Sequence, residues 1–398
     1  MIKIEETPFT AGSTGLQFWQ RLSHRRQISV IFLVALASRF LWLIGAYISH
    51  QQLGLEAGFS KSICQWDCGW YGGIINNGYP VTQPTRPSGQ AAWVFFPMFP
   101  KLAALVKALT GVNASTAGVI VSIMAFSITI PLIYHTYRKE IGAENALFLA
   151  VLLMVTPISL YSTIAYTEAV YGAFLISGFC LAYQRSWLLA ALCFAGLSAT
   201  KQLGAFGFVP LLIIGFQHFG RQRLVSETCG IFKARLPSEA VSRFWLAIMI
   251  APMGIFAYIL YLHIHMGDGF AFKHVTERGW LWVWRAPLET LIFGFQNWDN
   301  PHLRFLTIAG IFGIFLNIVL IWKRRYAEAA FLAITIFFAL SGLLNSTHRY
   351  IFAAFPAYLG LVLILPKSLY IRASLAIILL AGWVILIPNW LLRAPWLT

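Results

Sequence analysis

Apolar residues in this chain gather into long runs separated by short polar breaks; they do not alternate as in a half-buried strand. A run of about 20 such residues spans the hydrocarbon core of a bilayer as a helix. The first run covers 28–48. Later ones fall near 115–137, 143–162, 168–184, 187–200, 203–219, 244–264, 303–322, 327–345, 350–365 and 372–391. The pattern predicts an all-α polytopic membrane protein with about 11 transmembrane helices, one domain over 1–398. The short run at 187–200 is expected to tilt against its neighbours or to re-enter the membrane.

Polar breaks assign the sides. Segment 1–27 is basic (Lys3, Arg21, Arg25, Arg26). The run behind it is too long for a signal-peptide core and lacks a small-x-small cleavage site. It reads as a retained anchor with the N-terminus in the cytosol. Segment 95–109 is apolar enough to suggest a further span, but Pro97, Pro100, Lys101 and Lys107 break it. As an interfacial helix it leaves Arg138-Lys139, Arg185, Arg221, Arg223, Lys233, Arg235, Arg243, Lys323-Arg324-Arg325, Lys367 and Arg372 on the cytosolic side. As a span it would invert most of them. Two large external segments follow. One is the first loop, 50–113. The other is 265–302, which carries Trp280, Trp282, Trp284 and Trp298 with Arg278 and Arg285. The second fits an aromatic belt at the bilayer surface or a groove for a lipid head group or sugar.

Composition sharpens this picture. The chain is 59% hydrophobic and 11% charged, against about 25% charged in soluble domains. The net charge of +15 is accounted for by cytosolic loops facing anionic lipids, and no nucleic-acid partner is implied. Five scattered cysteines make no disulfide framework. Cys180 and Cys193 lie in apolar runs. Cys64 and Cys68 flank Asp67, and their state, thiol or local disulfide, stays open. No histidine stands near them to complete a metal site.

The candidate chemistry lies on the external side. Asp67 is the only acid in the aromatic stretch Gln65-Trp66-Asp67-Cys68-Gly69-Trp70-Tyr71. Glu168, Lys201-Gln202, the 267–302 loop and His348-Arg349 fall on the same face. A charge at mid-membrane costs roughly 2.5–3.5 kcal/mol, so charges near a membrane tend to have work to do. Trp66, Trp70 and Tyr71 would exclude water and stack on a sugar. Asp67 is placed as a general base, or as the cap of a helix starting at Cys68. Glu168 is a second carboxylate, orienting an acceptor or sharing Mg or Mn with Asp67; a helix N-terminus would also favour it. Lys201 with Gln202, and Arg349 with His348, are candidates for binding phosphate; snorkelling is the plainer role for Lys201. One carboxylate base plus cations suits inverting transfer from a sugar phosphate. The acceptor hydroxyl loses a proton, while the leaving phosphate needs only its charge balanced. Nucleotide sugars stay in the cytosol, so an external donor should be a polyprenyl-phosphate-sugar.

Trp66-Asp67, Trp70-Tyr71, Gly78-Tyr79-Pro80 and Phe95-Phe96-Pro97-Met98-Phe99-Pro100 resemble, in order, the signature of the PIG-V mannosyltransferases. These add the second mannose in GPI-anchor synthesis and have bacterial relatives. Thr156-Pro157-Ile158-Ser159 and Tyr166-Thr167-Glu168-Ala169 are similar to the family's Asn-Pro-Ala and Tyr-Ser-Glu-Ser segments. Arg349-Tyr350 with Pro356 resembles its late Arg-Phe and Pro segment. The resemblance implies a GT-C glycosyltransferase fold, a polyprenyl-phosphate-mannose donor, a lipid or glycolipid acceptor, and Asp67 at the catalytic centre. Two departures stand out. Lys201 replaces the family's arginine, and Val81-Thr82-Gln83 lacks the acid often found after Gly78-Tyr79. So compact a chain reads as bacterial or archaeal, where a GPI acceptor is not expected. The membrane is then the prokaryotic cytoplasmic membrane, or the ER membrane in a eukaryote. A lipid-linked sugar flippase without chemistry, and a GT-C enzyme for another sugar, are the rival readings.

Overall fold

The computed structural model describes residues 19, 21–80, 89–230, 238–342, 344 and 346–394. Expectations resting on 1–18, on Val81-Thr82-Gln83 and on Lys233 and Arg235 lie outside the described residues. Among the described residues there are helices and turns and no strand. The helices are α1 (His24–Gln52), α2 (Phe59–Ile63), α3 (Asp67–Asn77), α4 (Met98–Thr110), α5 (Ala114–Tyr137), α6 (Ala143–Val155), α7 (Glu168–Tyr183) and α8 (Trp187–Ser198). The turn Gln202–Gly207 leads into α9 (Phe208–Phe219), followed by α10 (Arg221–Gly230), α11 (Glu239–Ile250), α12 (Met253–Met266), α13 (Ala271–Gly279) and α14 (Pro287–Gln296). The chain ends with α15 (Pro301–Trp322), α16 (Tyr326–Leu340), α17 (Thr347–Phe352), α18 (Phe355–Ile364) and α19 (Leu369–Leu391).

This is an integral membrane protein. Five stretches are long and apolar enough to cross a bilayer: α1, α5, Gln202–Phe219, α15 and α19. α11 and α12, bent by 40° at a short break, make a sixth if they are one broken span. Helices α6, α7, α8, α16 and α18 are apolar but shorter. All overlap the expected runs, several reaching beyond them by a few residues, yet length alone does not reach the expected count of eleven. The shortfall has local causes. Run 143–162 is cut after α6, where Pro157 opens a 3-10 turn. Run 350–365 is cut before Pro356, which takes an early position in α18.

Helix α1 shows how the bilayer inverts the usual burial rule. Ile31, Ala35, Arg39, Trp42 and Ala46, three to four residues apart, face the protein. Leu33, Phe40, Leu41 and Ile44 point outward. Helix α5 sits centrally, packed by α7, α1 and α4. Segment 95–109 becomes the 13-residue α4, about 20 Å long and short of the membrane core. It buries Phe99, Pro100 and Ala103 and exposes Leu105 and Leu109, as an interfacial helix would.

Helix α7 orients the bundle. Its first residue, Glu168, meets Lys201 and Arg349. Its last, Tyr183, bonds Glu328, about 22 Å away along the helix axis. Arg325 pairs with Glu140, and Arg372 with Glu144; Glu328 lies one turn from Arg325 in sequence. The groups expected outside and those expected in the cytosol therefore collect at opposite ends of α7.

Candidate active site

The turn that presents Asp67 is held from four directions. Cys64 and Cys68 form a disulfide around it. The Tyr166 hydroxyl accepts from the Asp67 N–H at 3.2 Å and donates to the Gln65 carbonyl at 3.2 Å. Trp390 Nε1 donates to the Ile63 carbonyl at 3.0 Å, and its ring meets Trp66 edge-on at 4.7 Å. Arg393 Nε donates to Gln65 Oε1 at 2.5 Å. These contacts sustain a left-handed backbone at Trp66, φ 45°, which a bulky residue rarely adopts. Asp67 is the first residue of α3. Trp66 occupies the cap and no side chain caps the helix, which corrects the expectation that Asp67 caps one starting at Cys68.

Asp67 Oδ2 lies 2.9 Å from Arg349 Nη2. The same guanidinium turns its Nε to Glu168 Oε1 at 2.5 Å, and Lys201 Nζ reaches that oxygen at 2.8 Å. Two acids and two cations thus form one chain, Asp67–Arg349–Glu168–Lys201. Rings cover its cations. Arg349 stands over Tyr166 (4.7 Å) and Tyr161 (5.2 Å), Lys201 over Tyr350 (5.4 Å) and Tyr171 (5.6 Å). Burial works against the charge of Arg349, yet Glu168 and Asp67 hold it well above the usual arginine value. Burial draws Lys201 below the usual lysine value against the pull of Glu168.

The chain of charges borders a cavity of about 470 Å³. Asp67, Tyr71, Lys201, Gln202 and Arg349 line it, together with Phe272, Lys273, Thr276, Trp280 and Trp282. Of the sequence candidates, Asp67, Tyr71, Lys201, Gln202 and Arg349 meet there. Glu168 does not. Its side chain has no exposed surface and stands behind the two cations. Trp66 turns to Trp390, and Trp70 packs on Phe95 and Trp280 behind the cavity wall. His348 points the other way, between Phe305 and Tyr161. Burial takes it down to about 4, with Arg349 adding to the fall, so the imidazole is neutral. The Trp-rich loop divides between its two readings. Trp280 and Trp282 face the cavity, whereas Trp284 and Trp298 are exposed as belt residues are.

A divalent ion does not fit between Asp67 and Glu168 as they stand. The Arg349 guanidinium occupies that place, and Glu168 Oε1 is engaged by two cations. Among the described residues, no three His, Cys, Asp or Glu side chains gather as a metal-binding group.

Arg39 was missed. It is a fully buried arginine in the middle of α1. It donates to the Met154 carbonyl at 2.6 Å, the Ser159 carbonyl at 2.9 Å and Thr163 Oγ1 at 3.0 Å, between the rings of Phe126 and Trp383. Those oxygens belong to the last turn of α6 and to the break between α6 and α7. Arg39 satisfies the backbone there and so fixes the segment that delivers Tyr161, Tyr166 and Glu168. A charge inside an otherwise apolar run was the available signal.

No family model matches the chain. In sequence it is similar to GPI mannosyltransferase 2 of Cryptococcus neoformans var. neoformans. One strain's protein is 25% identical over 207 residues, 46% of this chain and 46% of that protein. Another's is 27% identical over 153 residues, 37% of this chain and 36% of that protein. The chain thus spans less than half the length of the curated relatives it matches. Solved structures similar to it include an Archaeoglobus fulgidus oligosaccharyltransferase in complex with Zn and sulfate. That structure has 17% identity and a TM-score of 0.45, covering 88% of this chain and 52% of that one. Another is ArnT from Cupriavidus metallidurans bound to undecaprenyl phosphate. It has 17% identity and a TM-score of 0.49, covering 88% and 63%.

Proposed function

We propose that this protein is an inverting GT-C glycosyltransferase. It moves a sugar, mannose by its likeness to the PIG-V proteins, from a polyprenyl-phosphate donor to a lipid or glycolipid acceptor. The reaction takes place on the membrane face away from the cytosol. One observation carries the reading: Asp67 is the single acid among the described residues lining the cavity, and it sits there in contact with Arg349. The partial similarity to proteins named GPI mannosyltransferase 2 supports the choice of sugar.

The chemistry follows from the charge chain. The acceptor hydroxyl oxygen attacks the anomeric carbon as its proton passes to Asp67. The bond from that carbon to the phosphate oxygen breaks on the opposite side, which inverts the centre. At rest the four groups balance, two negative and two positive. Protonation of Asp67 leaves one positive charge unbalanced on Arg349. The leaving phosphate gains a negative charge at that moment. The cluster therefore becomes attractive to the leaving group only as the transition state forms, which is where stabilisation accelerates a reaction. Glu168 never touches substrate in this scheme; it is a positioning residue that fixes Arg349 and Lys201.

The test is transfer by the purified protein from polyprenyl-phosphate-[radiolabelled mannose] into a membrane lipid extract. Wild type should label a new lipid. Asp67→Asn should lower the rate on the order of 10²–10⁴-fold, the range for a lost general base. Equal labelling by both would move the base elsewhere.

A further inference from the structure

If the ionic cluster is neutral before reaction, it cannot by itself attract the donor's phosphate. Lys201 and Arg349 are both engaged by carboxylates. The part of the cavity wall built by α13 supplies another cation. Helix α13 and the residue that caps its C-terminus present Lys273, Thr276 and Trp280, spaced three and four residues apart, to the cavity. Lys273 is the one cation that this wall contributes among the described lining residues. Its ionic neighbour, Glu277, is 3.8 Å away, beyond hydrogen-bond length, and both side chains are well exposed. Such a pair holds Lys273 weakly, so an arriving anion displaces little.

The helix that carries Lys273 is itself fixed. Phe272 packs on Phe96 at 5.5 Å and on Tyr258, in a cluster that also takes in Ala271 and Val275. At its C-terminal end, Gly279 lies so close to Gln90 and Gly89 that a β-carbon there would meet backbone at 2.8 Å. The next residues alternate. Trp280 and Trp282 face the cavity, while Leu281 and Val283 are 72% and 63% exposed. Trp284 and Leu288 continue that apolar surface. The exposed Leu281 and Val283 alternate with the cavity-lining Trp280 and Trp282, so this apolar surface adjoins the cavity that Lys273 also lines.

We propose that Lys273 seats the phosphate of the lipid-linked donor, at the boundary between the cavity and the bilayer, with the sugar directed inward to Asp67. This rests on the transferase reading of the same site. It separates two tasks by residue. Lys273 binds the phosphate in the ground state, and Arg349 answers the charge that develops on it in the transition state.

The experiment titrates undecaprenyl monophosphate, with undecaprenol as the uncharged control, into the full chain in nanodiscs. Wild type should bind the phosphate, and Lys273→Ala should weaken that binding about tenfold, as loss of one charged contact does. Lys273→Arg should restore most of it, and undecaprenol should bind wild type and Lys273→Ala alike. In the transfer assay, Lys273→Ala should raise KM for the donor while kcat stays within about threefold, the sign of an interaction made before the transition state. Unchanged phosphate binding in Lys273→Ala overturns the assignment. A raised KM for the acceptor alone also overturns it, giving the lysine to an acceptor phosphate. Lysine-dependent binding without any sugar transfer leaves the phosphate seat standing and removes the transferase reading.

Discussion

Glu168 and Glu328 are equally withdrawn from water, at 1% exposure each, and stand near opposite ends of α7, yet only one belongs to the site. Glu328 Oε1 accepts from two neutral donors, the hydroxyls of Tyr137 at 2.9 Å and Tyr183 at 2.7 Å. Glu168 Oε1 holds two cations, and both of those cations line the cavity. Burial of a carboxylate is thus no mark of function. What distinguishes the outer cluster is that its charges are linked to a surface a substrate can reach. Arg349 makes the link, one nitrogen on the buried acid and another on the partly exposed one that lines the cavity. At the inner end the hydrogen bonds to Glu328 come from hydroxyl groups, and the nearby cation, Arg325, pairs with the exposed Glu140 and is not among the described residues lining the cavity.

The sharpest way to break this comparison is to remove one charge from each end. Glu168→Gln leaves Lys201 and Arg349 facing a single carboxylate. Removing one partner of a buried ion pair costs about 3–5 kcal/mol. Where the cations serve the reaction, transfer should fall on the order of 10²-fold or more, mostly in kcat. The assay described for Asp67 reads it. A Glu168→Gln protein that transfers as well as wild type would reduce the outer cluster to a structural one, like the inner.

Next in size is the disulfide. It encloses Trp66 and Asp67, where the backbone is left-handed. Opening it, by reductant or by Cys64→Ser, gives the turn freedom that Tyr166 and Trp390 must then restrain alone. Transfer should fall about tenfold through kcat, since a small misplacement of a catalytic group weakens the reaction steeply. Mass spectrometry of the purified protein checks the bond itself. Such bonds persist outside the cytosol, so its presence would also support the side assigned to the loop. Equal activity with and without reductant would mean that the hydrogen bonds suffice.

Much of this was legible in advance, for a physical reason. A bilayer demands long apolar runs, and a charge bias in short loops assigns their sides. Those two rules put Asp67, Glu168, Lys201 and Arg349 on one face before any fold was seen, and the fold joins them. Rotation about a helix axis was not legible. His348 precedes Arg349 by one residue and faces away. Trp66 precedes Asp67 and turns to Trp390. Depth was not legible either. Glu168 sits one layer behind the cavity because Arg349 and Lys201 stand in front of it, and only packing decides which of three charges is outermost. Arg39 was hidden by its own run, which stays apolar enough to count as a span with one arginine in it. Lys273 was hidden among tryptophans that had a simpler use at the bilayer surface.

The smallest expected effect on transfer is at the inner glutamate, and it carries the comparison's control. Glu328→Gln keeps an oxygen that can accept from both Tyr137 and Tyr183, but it removes the charge and puts a buried amide group in place of Oε2. The cost belongs to folding, about 1–3 kcal/mol for a disturbed buried hydrogen bond. Thermal unfolding in detergent should show a lowered midpoint, while transfer at a temperature well below it stays within about twofold of wild type. The two readings must part in this way if the ends differ as argued. Should Glu328→Gln lose transfer as Glu168→Gln does, with the fold intact, then charge at the inner end governs the outer site through α7. Burial, not contact with the cavity, would then be the better guide to function in this bundle.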